Sequence, residues 1–286
     1  MVAKEEIQVW DYWEQDLVSR YPEPVENDTK SIEIHDEAAF RDYLSAPDTV
    51  RQFYAINHRE QCVKLIKAKR QKYYEKNIAY CGVWQMLEKL DSLVDESDPD
   101  TSLSQMQHAL QSAEAARRDG RPDWFQLVCL IHDLGKILFF EGEPQHLVVG
   151  DTFPVGLPFS AKIVHPEYFR DNPDIHIPEY QTKYGIYEPG CGLDNVLMSF
   201  GMSKVCESYL PKPALSCIRY HSFYSWHRDN QYRDLMCPED EEKLKWVREF
   251  NPYDLYSKHN EQVDVEQVAP YYKGIIAKYF PEKIRW

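Results

Sequence analysis

The dipeptide His132-Asp133 sits inside an apolar run, Trp124 to Phe140 (WFQLVCLIHDLGKILFF), where an ionised carboxylate has to be neutralised by a partner. A neutral imidazole beside a carboxylate is a common way to hold a divalent or trivalent cation, so the pair points to a metal. The plainer alternative is an ion pair at a helix end between Asp133 and Lys136. It accounts for Asp133 and leaves His132 unexplained.

Three more residues could join that pair. His108 lies on an Ala-rich helix but off its Met106, Leu110, Ala113 stripe, and periodicity alone makes it a surface histidine. The short turn DGRPD, however, folds this helix back alongside the one bearing His132 and Asp133. His221 closes the run ALSCIRYH, where a satisfied core histidine is the ordinary reading, and Asp254 after Asn251-Pro252-Tyr253 reads most simply as a helix N-cap. The acidic stretch Asp95, Glu96, Ser97, Asp98, Asp100 fails the EF-hand spacing, because Asp100 occupies the obligatory Gly position counted from Asp95. It reads instead as a turn whose short polar side chains could bind hydroxyl groups. Gly150-Asp151 is equally readable as a turn or a ligand contact. His35, His58, His146, His165, His176, His227 and His259 share no spacing and read as surface or loop residues.

The elements that must position these residues are mostly helical. A chain of 286 residues with 43% apolar and 14% aromatic content can bury a large core. Residues 1–35 are acidic, with Pro22 and Pro24, and read as a poorly ordered lead-in; the folded domain is expected over 36–286. The pattern is helical from Glu37 to Leu93, and its basic segment KxxKAKRQK reads as a solvated helix face. An Ala-rich helix follows over Leu103 to Arg118, then the apolar helix, the two forming a hairpin. Glu141 to Gly192 is rich in Pro, Gly, Asp and Tyr, a long irregular excursion with room for a short β-hairpin around Leu147 to Phe159. Helices resume at Leu193 and continue over Pro213 to Tyr220, Glu241 to Phe250 and Val265 to Tyr279. The fold class is mainly α, a single-domain helical bundle.

Several function classes are disfavoured. A formal charge of −14 without a Lys/Arg-rich block argues against nucleic acid as partner. No apolar run approaches the length that spans a bilayer, and the first thirty residues lack a signal-type stretch. A cytoplasmic, monomeric protein is expected. Seven cysteines (62, 81, 129, 191, 206, 217, 237) form no CxxC pair and read as reduced thiols.

The order His108, His132-Asp133, Asp254 resembles the H…HD…D pattern of the HD-domain superfamily of helical metalloproteins. Longer words are more specific: LVDESDPD (93–100), DWFQLVCLIHDLGK (123–136), VVGDTFPVG (148–156), DNPD (171–174), CGLDNVLMSFG (191–201), IRYHSFY (218–224), WVREFNPYDLYSK (246–258) and PYYKGIIAKYF (270–280). In this order they resemble the myo-inositol oxygenase family over essentially everything after residue 36. The resemblance implies a non-haem di-iron centre that uses O2 to cleave the ring of myo-inositol, giving D-glucuronate in a four-electron oxidation. It implies that His108, His132, Asp133 and Asp254 hold one iron and that Asp133 bridges to a second, which His221 also binds. It further implies polyol contacts from Arg41, Asp95, Ser97, Lys136, Asp151, His221, Ser222 and Lys258, with Lys136 and Asp133 taking part in catalysis.

One departure stands out. In the family, the Gly equivalent to Gly201 is followed at once by another histidine that ligates the second iron, whereas here Met202-Ser203-Lys204 follow. The spacing onward to His221 is also shorter than the family's by roughly two helical turns. A true deletion and a gene-model or splice error both stay open; rescue by Cys206, Glu207 or His176 is disfavoured, because a replacement would have to reach the iron with correct geometry from a shortened helix, and the expected second site is weak. Two other functions stay in view: an HD-type metal-dependent phosphohydrolase, disfavoured by the absence of a basic cluster near the motif, and an inactive family member that binds a polyol or a partner.

Overall fold

A computed structural model describes residue 43 and residues 46–74, 76, 78–97, 103–199, 209–255 and 262–286. The lead-in over 1–35, Arg41, Lys258 and the segment from Gly201 through Cys206 and Glu207 lie outside these residues. Ala38–Trp286 form one compact unit. Its helices are α1 (Asp48–Glu60), α2 (Val63–Tyr74), α3 (Val83–Leu90), α4 (Gln105–Arg118), α5 (Asp123–Ile131), α6 (Lys212–Tyr220), α7 (Tyr224–His227), α8 (Pro238–Leu255) and α9 (Val265–Tyr279). The mainly α expectation holds.

α4 and α5 form the expected hairpin. Ser104 caps α4 by accepting from the Gln107 N–H, and Gly120, at φ 69°, reverses the chain so that Arg121 N–H closes onto Ala116. Every residue of α5 from Trp124 to Ile131 is buried, which is why the segment is apolar all round. The run read as one helix to Phe140 is in fact two segments. At His132 the backbone tightens into a 3-10 helix, His132–Glu141, ended by Gly142 in the left-handed conformation. Residues three apart eclipse in that geometry, so Lys136 is stacked over Asp133.

The excursion holds 3-10 turns and no hairpin over Leu147 to Phe159. Pro154 and Pro158 cannot donate to a ladder, and Gly156 turns the chain at φ 82°. The segment instead pairs briefly with 197–199, Val155 N–H to Leu197 and Ser199 N–H to Phe153. Leu193 opens only a short 3-10 turn, Leu193–Asn195, before the chain becomes irregular. α8 runs through Pro252, because Phe250, Tyr253 and Leu255 are buried and hold the last turn in place.

A contact with no sequence signal closes the unit. Strand β1 (Tyr80–Cys81) pairs antiparallel with β2 (Ile284–Arg285), and Trp286 is buried with its indole N–H on the Cys81 carbonyl, 205 residues away. Gly82 is needed there, since a Cβ would meet the Glu282 carbonyl oxygen at 2.8 Å.

Candidate metal centre

Four elements deliver the cluster. α4 supplies His108, the α5 to 3-10 junction His132 and Asp133, the end of α6 His221, and the last turn of α8 Asp254. Ligand atoms of His108, His132 and Asp133 lie within 4.8 Å of one another. Asp254 Oδ1 adds a fourth, 3.1 Å from His108 Nε2 and 3.4 Å from His132 Nε2. Asp133 Oδ2 faces the same two nitrogens at 3.6 and 3.5 Å, and its other oxygen, Oδ1, faces His221 Nε2 at 3.7 Å. Asp133 thus straddles two sides.

The tautomers call for a positive charge, a proton or a metal ion, between these atoms. His132 Nδ1 contacts the Cys129 carbonyl at 2.9 Å and His221 Nδ1 the Ile218 carbonyl at 3.0 Å; carbonyls only accept, so both Nδ1 atoms carry the proton. With Nε2 unprotonated the His132 lone pair would face two carboxylate oxygens; with Nε2 protonated, which burial opposes but Asp133 and Asp254 together favour, the ring itself supplies a positive charge between them. Lone pairs turned on one another are repulsive unless a positive charge joins them, and N–H to backbone bonds of this kind are how metal-ligating histidines are oriented. Burial works against ionised Asp133, yet the Lys136 ammonium and His132 hold its carboxyl well below the usual range. Burial also opposes ionised Asp254, and hydrogen bonding to His108 and His132 outweighs it. The donor set, two imidazoles and two carboxylates, suits a first-row metal such as iron.

Lys136 Nζ spends its three hydrogens on Asp133 Oδ2 (2.8 Å), Asp95 Oδ2 (2.8 Å) and Gln105 Oε1 (2.9 Å). Asp95 in turn accepts from the Ser97 N–H and hydroxyl at 2.8 and 2.6 Å, so the acidic loop folds onto the cluster. Asp151 is buried and accepts from Tyr54 at 3.4 Å; next to it, Thr152 bonds the Ser222 carbonyl and hydroxyl at 2.9 and 2.7 Å, tying this loop to His221-Ser222. Gln105 escaped the sequence reading, though its place three residues before His108 puts it on the same helix face.

Three readings are corrected, and the surface reading of His176 holds. His108 is buried, because α4 is covered by α3, α5 and α8. Asp254 is no N-cap; it lies inside α8, one residue from its end. His58 and His227 are buried, not surface residues. His176 is exposed, on a turn whose Asn172 and Asp174 bond to His58, Gln61 and Val63, so nothing brings it to the cluster.

A mainly α protein with a buried His/Asp cluster able to hold a metal ion is the class that fold and site define. The sequence profile described as myo-inositol oxygenase matches residues 47–286. A probable inositol oxygenase of Oryza sativa subsp. japonica is 48% identical, the match covering 87% of this chain and 85% of that one. The inositol oxygenases of Mus musculus and Homo sapiens are 45% and 44% identical, covering 87% and 88% of this chain and 91% and 92% of theirs. The chain belongs to the myo-inositol oxygenase family. Among the described residues no helix is long and apolar enough to cross a membrane.

Proposed function

We propose that the chain is an iron-dependent oxygenase that takes myo-inositol and O2 to D-glucuronate, breaking one ring C–C bond in a four-electron oxidation. The observation that carries this reading is Asp133, whose two oxygens face separate groups of imidazole nitrogens inside a chain of this family. His108, His132, Asp133 and Asp254 would hold one iron, and Asp133 with His221 a second. Bound iron would supply Lewis acidity toward a vicinal diol and electrons for dioxygen.

The chain's own groups then handle a neutral polyol. Lys136, held by Asp95 and Gln105, would turn the hydrogen it now gives Asp133 toward a substrate oxygen and stabilise negative charge developing there. Asp95, Ser97, Asp151 and Ser222 offer the acceptors and donors that a ring of hydroxyls requires. Arg41 and Lys258 extend that set. The carboxylates of Asp95 and Asp133 on either side of Lys136 would repel a phosphate, which tells against a phosphohydrolase.

We further propose that the second iron binds weakly. Among the described residues His221 and Asp133 are the protein groups facing that side, and the family histidine after Gly201 is absent from the sequence. Protein produced with iron is expected to hold clearly fewer than two irons per chain and to release glucuronate slowly from myo-inositol and O2. Two irons per chain would sink the asymmetry, and iron-loaded protein that releases no glucuronate would sink the oxygenase reading.

A further inference from the structure

The short helix α7 touches both ends of the cluster without contributing a ligand to it. Tyr224 is buried and its hydroxyl donates to Asp254 Oδ2 at 3.3 Å, while the other oxygen, Oδ1, faces the histidines. That contact fixes which oxygen of Asp254 points at His108 and His132. At the other end of the turn, buried His227 donates from Nε2 to the backbone carbonyl of His221 at 2.8 Å. The turn is itself anchored to α8, since Arg248 donates from Nε to the His227 carbonyl at 2.7 Å and from Nη2 to Asn230 Oδ1 at 2.8 Å. The Tyr224 and His227 rings pack at a centroid distance of 5.0 Å.

We infer that α7 is a brace in which Tyr224 and His227 are positioning residues, coupling Asp254 on one side of the metal centre to His221 on the other. The inference rests on the metal reading above. Its physical content is rotational: a carboxylate held through one oxygen presents the other in a fixed direction, and a carbonyl held from outside fixes the backbone from which the His221 ring projects. Outer groups that orient ligands in this way typically govern metal affinity by about 10–100-fold. Tyr224→Phe removes only a hydroxyl and leaves the ring packing, so it probes the hydroxyl's hydrogen bonding.

The test is a calorimetric and optical titration of the metal-free full chain with cobalt(II). Tyr224→Phe is expected to bind cobalt about 10–100-fold more weakly than wild type, with an altered visible spectrum and an unchanged far-UV circular dichroism spectrum. His227→Gln, which keeps an N–H donor, should bind more tightly than His227→Leu. If Tyr224→Phe binds within twofold of wild type while Asp254→Asn loses binding, the brace is overturned and the metal reading stands. If wild type shows no saturable binding, both fall.

Discussion

Replacing Lys136 by Met tests how much of the site's stability rests on one ammonium group. Met keeps the unbranched stem and removes the charge. Asp133 and Asp95 would then be left facing the same space, each having lost a 2.8 Å charge-assisted hydrogen bond, and Gln105 Oε1 would lose its donor as well. Breaking a buried pair by deleting one partner costs about 3–5 kcal/mol, because the remaining charge stays buried and unpaired. For a unit of this size that corresponds to a fall in melting temperature of about 6–20 °C. The effect should be largest in metal-free protein. A bound cation next to Asp133 replaces part of the lost charge, so Lys136→Met should gain more from metal than wild type does, beyond the roughly 2.7 kcal/mol that a ligand at a hundred times its Kd gives to any folded state. Thermal melts followed by circular dichroism, with and without manganese(II), supply the comparison, and glucuronate formation should fall by about 100-fold or more if Lys136 handles a proton or stabilises charge in the reaction. A metal-free destabilisation under about 1 kcal/mol would contradict the burial argument. Equal shifts with and without metal would contradict the charge argument.

Two other substitutions probe the frame. Glu143 is buried beneath Lys69, Lys72 and Tyr73, and although burial opposes its ionisation, those hydrogen bonds pull its carboxyl from 4.5 down to about 2. The folded value is the lower one, so this stability is complete above pH 4.5 and drains away as pH falls toward 2; with Lys72 half exposed, Glu143→Gln should cost about 2–3 kcal/mol at pH 7 and roughly half that at pH 3. Urea titrations at both pH values measure the gap, and a gap independent of pH would mean that the ion pairs contribute nothing. Trp286→Ala empties a buried site and breaks the bond to Cys81, for an expected loss of about 3–5 kcal/mol, read as a lower urea midpoint; a change below about 1 kcal/mol would show that β1–β2 closes nothing.

Much of this was written into short stretches of sequence. The contradiction of Asp133 in an apolar run was visible at once, and so was the hairpin that brings α4 against α5. Local pattern failed where distant packing decided the outcome. His108 lies off the apolar stripe of α4, but the helix is covered on several sides and its polar face lines the cluster. Pro252 signals a helix stop, yet buried neighbours carry α8 one turn past it and so place Asp254. Phe153 to Phe159 alternates well enough for a strand, but its prolines deny it donors and its partner lies some forty residues on. Two-residue strands such as β1 and β2 leave no periodicity to detect. His221, taken alone, read as an ordinary core histidine, and only the longer words placed it with the cluster.

The clasp between β1 and β2 also carries a consequence for synthesis. Chains emerge from the ribosome at about 5–20 residues per second, so the stretch around Cys81 waits roughly 10–40 s before Trp286, 205 residues later, is made. During that interval the carbonyl of Cys81 and the backbone of Ala79 and Tyr80 are without their final partners, beside an α3 whose Trp84, Met86 and Leu87 are apolar. The nascent protein therefore passes through a stage with an open strand edge next to hydrophobic surface, the kind of site that holding chaperones recognise and that favours pairing between neighbouring chains on one message. Synthesis rate and chaperone supply, as well as the stability of the finished fold, should set how much of this protein a cell recovers.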